Sequence, residues 1–137
     1  MKQNLLPCVF IADDDEDDRY LLAKAFEQHN PQCRLQFVED GLALLDALAK
    51  NQSQPYLILL DLNMPRLNGF EALQHLRANP LYQHTPIVIL TTSSSDRDRQ
   101  QAQALGANEL ITKPLDLAKL GQVVIRLRSE WLSGCCD

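Results

Sequence analysis

The chain has no apolar run approaching the roughly 18 residues that a membrane-spanning helix needs, so no span is expected. Its opening segment, MKQNLLPC, is too short for a signal peptide. Basic residues are in deficit: 13 Lys and Arg against 18 Asp and Glu leave a net charge of -5, which argues against direct binding to nucleic acid. Cysteine is sparse, and Cys8, Cys33, Cys135 and Cys136 have neither metal-ligand nor disulfide-framework spacing. A cytoplasmic protein with reduced thiols is the expectation. No linker composition appears either, and 137 residues suffice for one sizeable core with little left for a second module. Residues 1–137 therefore read as one domain without an output domain.

What is present is a series of short apolar runs, each ending in a polar residue. The most apolar is Tyr56 to Gly69, YLILLDLNMPRLNG. Leu57 to Leu60 are apolar without alternation, as a parallel strand covered on both faces requires, and they deliver Asp61 at their end. Pro65 cannot continue a ladder, and Asn68 with Glu71 reads as a capping box for a helix carrying Phe70, Leu73 and Leu76. Val9 to Ala12 form a first strand followed by six acidic residues, Asp13 to Asp18. Of these, Asp15 to Asp18 have an ordinary explanation as favourable charges at a helix N-terminus, whereas Asp13 and Asp14 stand at the strand end.

The remaining elements alternate. Leu22, Ala25, Phe26 and His29 space as the first helix; Leu35 to Val38 form strand two, ending in Glu39, Asp40 and Gly41. Leu42, Leu45, Leu48 and Ala49 space as the second helix, and Asn79 with Pro80 stops the third. Ile87 to Leu90 form strand four, closed by Thr91 and Thr92. Ser95 and Asp98 form a capping box for a polar fourth helix running to Leu105, with only Ala102, Ala104 and Leu105 to bury and Gly106 as terminator. Leu110 to Thr112 is strand five, followed by Lys113 and Pro114, and Asp116 caps a last helix whose core stripe is Leu117, Leu120, Val124, Leu127 and Trp131. Strands alternating with helices predict an α/β, doubly wound five-stranded parallel sheet, flavodoxin-like (βα)5, in the order 2-1-3-4-5.

That order brings Asp13, Asp14 and Asp61 together at the carboxyl edge of the sheet, with Thr91 and Lys113 arriving from strands four and five. Close carboxylates repel unless a cation or protons compensate, and hard oxygen ligands with room for water suit Mg²⁺. Lys113 and Thr91 suit the oxygens of a phosphoryl group, and a carboxylate can attack phosphorus to form an aspartyl phosphate. Asp61 is the candidate nucleophile, Asp13 and Asp14 being better placed as metal ligands. The ordinary alternative for each part is a turn or cap residue, but five residues at four strand ends delivering complementary chemistry to one edge favour the functional reading. The acidic run is not an EF-hand loop, since it lacks that loop's glycine and terminal glutamate.

The motifs ADD at 12–14, LLDLNMPRLNG at 59–69, VILTT at 88–92 and ITKP at 111–114 resemble the response regulator receiver domain of two-component signalling, of the single-domain kind that includes CheY-like proteins. The resemblance covers nearly the whole chain. It implies that Asp61 is the phosphoacceptor, that Asp13 and Asp14 bind Mg²⁺ with the backbone carbonyl of Asn63, that Thr91 and Lys113 contact the phosphoryl group, and that Lys113–Pro114 is cis. It implies a phosphoryl donor in a sensor histidine kinase or phosphotransfer protein, and a signalling protein, not an enzyme, that assists its own phosphorylation and dephosphorylation. Leu110 occupies a switch position where the family usually has Tyr or Phe, and Thr92 replaces what is commonly a smaller residue.

Two other readings stand beside this one. A haloacid dehalogenase-type phosphatase would carry DxDxT near its first strand, and here the order and spacing differ. A receiver-like scaffold acting without phosphorylation remains open through Leu110. Output is expected through a downstream protein partner. A homodimer through the last helix is a further expectation, because Ala118, Ile125 and Leu132 recur at seven-residue spacing on a side other than the core stripe.

Overall fold

The computed structural model describes residues 7–51, 54–93 and 95–133. Strands and helices alternate without exception: β1 (Val9–Ala12), α1 (Glu16–His29), β2 (Leu35–Val38), α2 (Gly41–Asn51), β3 (Leu57–Leu60), α3 (Gly69–Ala78), β4 (Ile87–Thr91), α4 (Asp96–Ala104), β5 (Glu109–Thr112) and α5 (Leu117–Trp131). The strands form one parallel sheet in the order β2-β1-β3-β4-β5, as the alternation predicts. Its inner strands are buried on both faces, which is why they are apolar without alternation.

Successive residues of each strand feed two cores. Phe10, Ala12, Ile58, Leu60, Ile87 and Ile89 pack with residues of α2 and α3 and with Ala102 of α4. Val9, Ile11, Leu57, Leu59, Val88 and Leu90 pack with residues of α1 and α5. Side-chain caps start the helices where the sequence places them: Asp15 accepts from the amides of Asp17 and Asp18, Asn68 and Glu71 form a reciprocal box, and Asp116 accepts from Lys119 N–H. Ser95 caps α4 through Asp98 N–H, whereas the Asp98 carboxylate accepts from the Ser93 hydroxyl at 2.6 Å.

Several helix faces differ from the sequence reading. On α2, which Asp40 caps through Ala43 N–H, Gly41, Leu44 and Leu48 are buried and Leu45 partly so, while Leu42 and Ala49 are exposed, so the buried stripe departs from the expected phase except at Leu48 and Leu45. Of the three residues expected to bury on α4, Ala102 is buried, Leu105 partly so, and Ala104 exposed. On α5, Leu132 does not belong to the outer stripe with Ala118 and Ile125. It ends the helix as its C-cap residue and turns into the core, where it is 1% exposed, while Ile125 is 50% exposed. Among the described residues a 3-10 turn, Pro80–Tyr82, capped by Asn79, follows α3 in addition to the expected elements. Cys8 is buried just before β1 and Cys33 is half-buried in the loop before β2; Cys135 and Cys136 lie outside the described residues.

Two side chains tie loops together at opposite ends of the sheet. At the amino edge, Arg77 of α3 donates to the carbonyls of Tyr82, Thr85 and Gly106 and to Asn108 Oδ1, which also accepts from Ile87 N–H. At the carboxyl edge, the buried Asp40 carboxylate accepts from Arg66 Nη2 at 2.6 Å and Nε at 2.9 Å, in addition to the Ala43 amide. Burial works against ionisation of Asp40, but the Ala43 amide and the Arg66 guanidinium outweigh it and hold the carboxyl below its ordinary value of 3.8. Stability from this group is therefore present above that pH and is lost as acid protonates the folded carboxylate. In urea titrations stepped down through the range below pH 3.8, the wild type should lose its margin over Asp40→Asn; a constant difference across the range would rule out the linkage.

Candidate functional site

The carboxyl edge of the sheet gathers a cation and three carboxylates. Lys113, directly after β5, is 5% exposed and donates from Nζ to Asp13 Oδ2 at 2.6 Å, Asp18 Oδ2 at 2.8 Å and Asp61 Oδ2 at 3.4 Å. Backbone pairing puts each residue there: Asp13 N–H donates to Val38, Asp61 N–H to Ala12 and Lys113 N–H to Thr91. Behind Asp61, a Cβ on Gly69 would stand 2.3 Å from the Asp61 carbonyl, so only glycine lets α3 start this close to the strand end.

Oxygens of Asp13, Asp18 and Asp61 all lie within 4.8 Å of one another. Three carboxylates against one ammonium leave two negative charges, which is the charge of a single divalent cation. Hard oxygen donors in this number suit Mg²⁺ or Mn²⁺, so the residues fit such an ion. The electrostatics carry the same sign. Burial would lower Lys113, but its hydrogen bonds to Asp13 and Asp18 and the charges of Asp13 and Asp61 reverse this and raise its pKa above the ordinary lysine value. Burial also dominates at Asp13, and with the Asp61 charge it keeps that carboxyl above 3.8 despite the bonds from Lys113 and the Asp15 amide. One lysine therefore does not compensate the whole cluster.

The expected residues are distributed as follows. Asp13, Asp61 and Lys113 meet. Thr91, the last residue of β4, is fully buried and its Oγ1 accepts from Ser93 N–H at 3.3 Å. Asp14 is exposed and stands outside the close cluster of carboxylates, and Asn63 is exposed in the loop after β3. Leu110 is buried on β5, and its carbonyl accepts from Arg99 of α4 at 3.0 Å. No peptide bond is cis among the described residues, so the cis Lys113–Pro114 bond expected from the resemblance is not found; trans is the preferred isomer even before proline.

Asp18 is the member that sequence reasoning missed. It was explained by the helix dipole, which favours any acid in the first turn. The signal that distinguishes it is the cap: with Asp15 capping α1, Asp18 is the third residue of the helix, and helical side chains lean back toward the N-terminus, here toward Lys113. Arg19 adds a bond from Nη1 to the Asp13 carbonyl at 2.7 Å, holding α1 against the end of β1.

The compensation has a direct consequence for stability. Lys113→Met leaves three buried or half-buried acids without their cation and should cost on the order of 3 kcal/mol in EDTA. Added Mg²⁺ should recover more of the melting temperature in the variant than in the wild type. Equal melting of the two proteins in EDTA would contradict the assigned role of Lys113.

A sequence profile of the response regulator receiver domain matches residues 9–125. Response regulator Rcp1 of Synechocystis sp. is 32% identical over 129 residues, which are 90% of this chain and 88% of Rcp1. Among solved structures, the phosphorylated cyanobacterial phytochrome response regulator RcpA superposes with a TM-score of 0.84 at 32% identity, covering 93% of this chain and 94% of RcpA. The Mn²⁺-bound form of Rcp1 superposes with a TM-score of 0.79 at 32% identity, covering 92% and 95% of the two chains.

Proposed function

The chain belongs to the response regulator receiver domain family, and from that premise we propose that Asp61 is its phosphoacceptor, charged by a sensor histidine kinase or phosphotransfer protein with Mg²⁺ as the divalent ion. Receiver domains are signalling phosphoacceptors that take phosphoryl groups from histidine kinases and bind a divalent metal at this acidic cluster. The observation that carries the assignment to Asp61 is its position directly after the central strand β3, with its Oδ2 3.4 Å from the Lys113 ammonium, a looser contact than those of Asp13 and Asp18. A carboxylate oxygen of Asp61 attacks phosphorus, the bond from phosphorus to the donor nitrogen breaks, and the electron pair leaves with the imidazole.

Asp13, Asp14, Asp61 and the carbonyl of Asn63 would hold the ion, with Asp18 added to the set by its proximity to Asp13 and Asp61. When bound, Mg²⁺ supplies charge compensation for the acidic cluster and for the phosphoryl oxygens. Lys113 presents a buried ammonium beside Asp61 and Thr91 presents a hydroxyl at the end of the neighbouring strand, both donors to a phosphoryl oxygen. This pairing lets the chain assist its own phosphorylation and dephosphorylation without acting on a separate substrate.

Residues 1–137 then work as one receiver unit that signals through protein contacts. Leu110 lacks the ring that the switch position usually carries, so coupling runs through Ser93, whose N–H binds Thr91 and whose hydroxyl binds Asp98, and through α4. On α5, exposed Ala118 and Ile125 support contact with a second copy or a downstream partner, a smaller patch than the sequence implied now that Leu132 is in the core.

Acetyl phosphate with Mg²⁺ should add about 80 Da, one phosphoryl group, to the wild type and nothing to Asp61→Asn. Labelling of that variant at the wild-type level would move the acceptor elsewhere. Beryllofluoride, a phosphoryl mimic, should change amide exchange over 92–105 more than over 109–112, and the reverse order would return the switching to β5. In sedimentation of the same sample, Ile125→Glu should remove any self-association that beryllofluoride induces; a wild type that is monomeric throughout would leave α5 to a heterologous partner.

A further inference from the structure

The loop after Asp61 contains the one non-glycine residue with positive φ among the described residues, Arg66 at 65°. Leu67 N–H bonds to the Pro65 carbonyl at 2.6 Å, an i to i+2 closure, so Arg66 is the centre of a γ-turn of the strained, positive-φ kind. Strain of this sort persists only where surrounding contacts over-determine it. Here two do. The Arg66 guanidinium grips the buried Asp40 with two hydrogen bonds, and Gly41 N–H donates to the Leu67 carbonyl at 3.0 Å. A Cβ on Gly41 would stand 2.4 Å from that same carbonyl, so the sequence accepts glycine at the head of α2 to bring the two loops together.

The geometry points to Arg66 as a positioning residue for the divalent ion: by gripping Asp40 it keeps the 65–67 turn closed and so fixes how the preceding backbone, including the carbonyl of Asn63, is offered at the site. This rests on the reading of the site as a receiver's metal centre and goes beyond it, because Arg66 and Asp40 are outside the acidic cluster. The bland account is a surface ion pair that merely adds stability, since Arg66 is 61% exposed on its side chain. Against that account, the Asp40 side chain is only 6% exposed, two guanidinium N–H groups converge on its Oδ2 in charge-assisted bonds, and the contact fastens a strained turn to a different loop.

The two accounts separate in Mn²⁺ binding, measured on the full chain by electron paramagnetic resonance of free Mn²⁺ without any phosphodonor and with Mg²⁺ as competitor. Arg66→Gly relieves the φ strain and removes the grip; Asp40→Asn can still cap Ala43 through its amide oxygen but offers its amide group, a donor, to a donor. Both should weaken Mn²⁺ by roughly tenfold, the scale seen when a metal ligand loses its outer support. Arg66→Lys, keeping the charge without the fork, should fall between, and the Asp40→Asn, Arg66→Gly double variant should be no worse than either single one. Arg126→Ala, which removes a surface arginine paired with Glu109, serves as the control and should bind as the wild type does. Arg66→Gly and Asp40→Asn within about twofold of a wild type that binds Mn²⁺ and releases it to Mg²⁺ would overturn the inference and leave the metal reading standing. A wild type that takes up no Mn²⁺ would overturn both.

Discussion

The acidic cluster at the carboxyl edge is held together by one ammonium. Without Lys113, the carboxylates of Asp13, Asp18 and Asp61 would lie within 4.8 Å of each other at the mouth of a close-packed sheet with nothing to offset their charge. That arrangement sets the rest of the active edge. It requires β5 beside β4, so that the residue after Thr112 arrives at the right place, and it requires α1 to begin within reach of the same nitrogen. The cluster is also deliberately under-compensated, with two charges unmatched, so the fold carries an affinity for cations before any phosphoryl group arrives. Affinity and instability here have one origin.

The fold was legible because its signals are backbone requirements. Unbroken apolar strands, Asn68 with Glu71, and Asp116 each follow from what a buried strand or a helix terminus needs, and all stand where the chain order puts them. Asp13, Asp61 and Lys113 were legible for the same reason: a polar residue directly after a buried strand has one place to go. Asp18 was not, because first-turn acids are favourable in any helix and only tertiary contact singles one out. Leu132 and the phase of α2 failed differently. Helical periodicity gives a stripe but not where the helix ends or how it is rotated, and Leu132 leaves α5 just where its path bends into the core. The Asp40–Arg66 contact spans 26 residues and has no local pattern at all.

Two strand-end loops reach the site by contrasting means. The β3–α3 loop is short of freedom: it is closed by the Leu67 to Pro65 bond, by Gly69 N–H to Leu62 and by the strap from Asp40. The β4–α4 loop depends on hydroxyl contacts among Thr91, Ser93, Ser95 and Asp98, most of them at 3.3 Å. The tighter closure thus lies beside Asp61 and the longer contacts beside Thr91, a division that suits the roles proposed for the two loops.

The Arg77 clamp gives the looser of these loops a direction. Its guanidinium fastens the segment just beyond the end of α4 to α3 and to the turn before β4, through Gly106 and Asn108. With the tail pinned and the head held by hydroxyls, a displacement of the loop after β4 would tilt α4 about its end at the amino edge of the sheet. Its nine residues span about 13 Å, so a shift of ~1 Å at Ser95 corresponds to a tilt of about 4°. Such a tilt would be largest beside the acidic cluster and vanish at the pivot, and Arg99, one turn from the moving end, is where it would reach the carbonyl of Leu110.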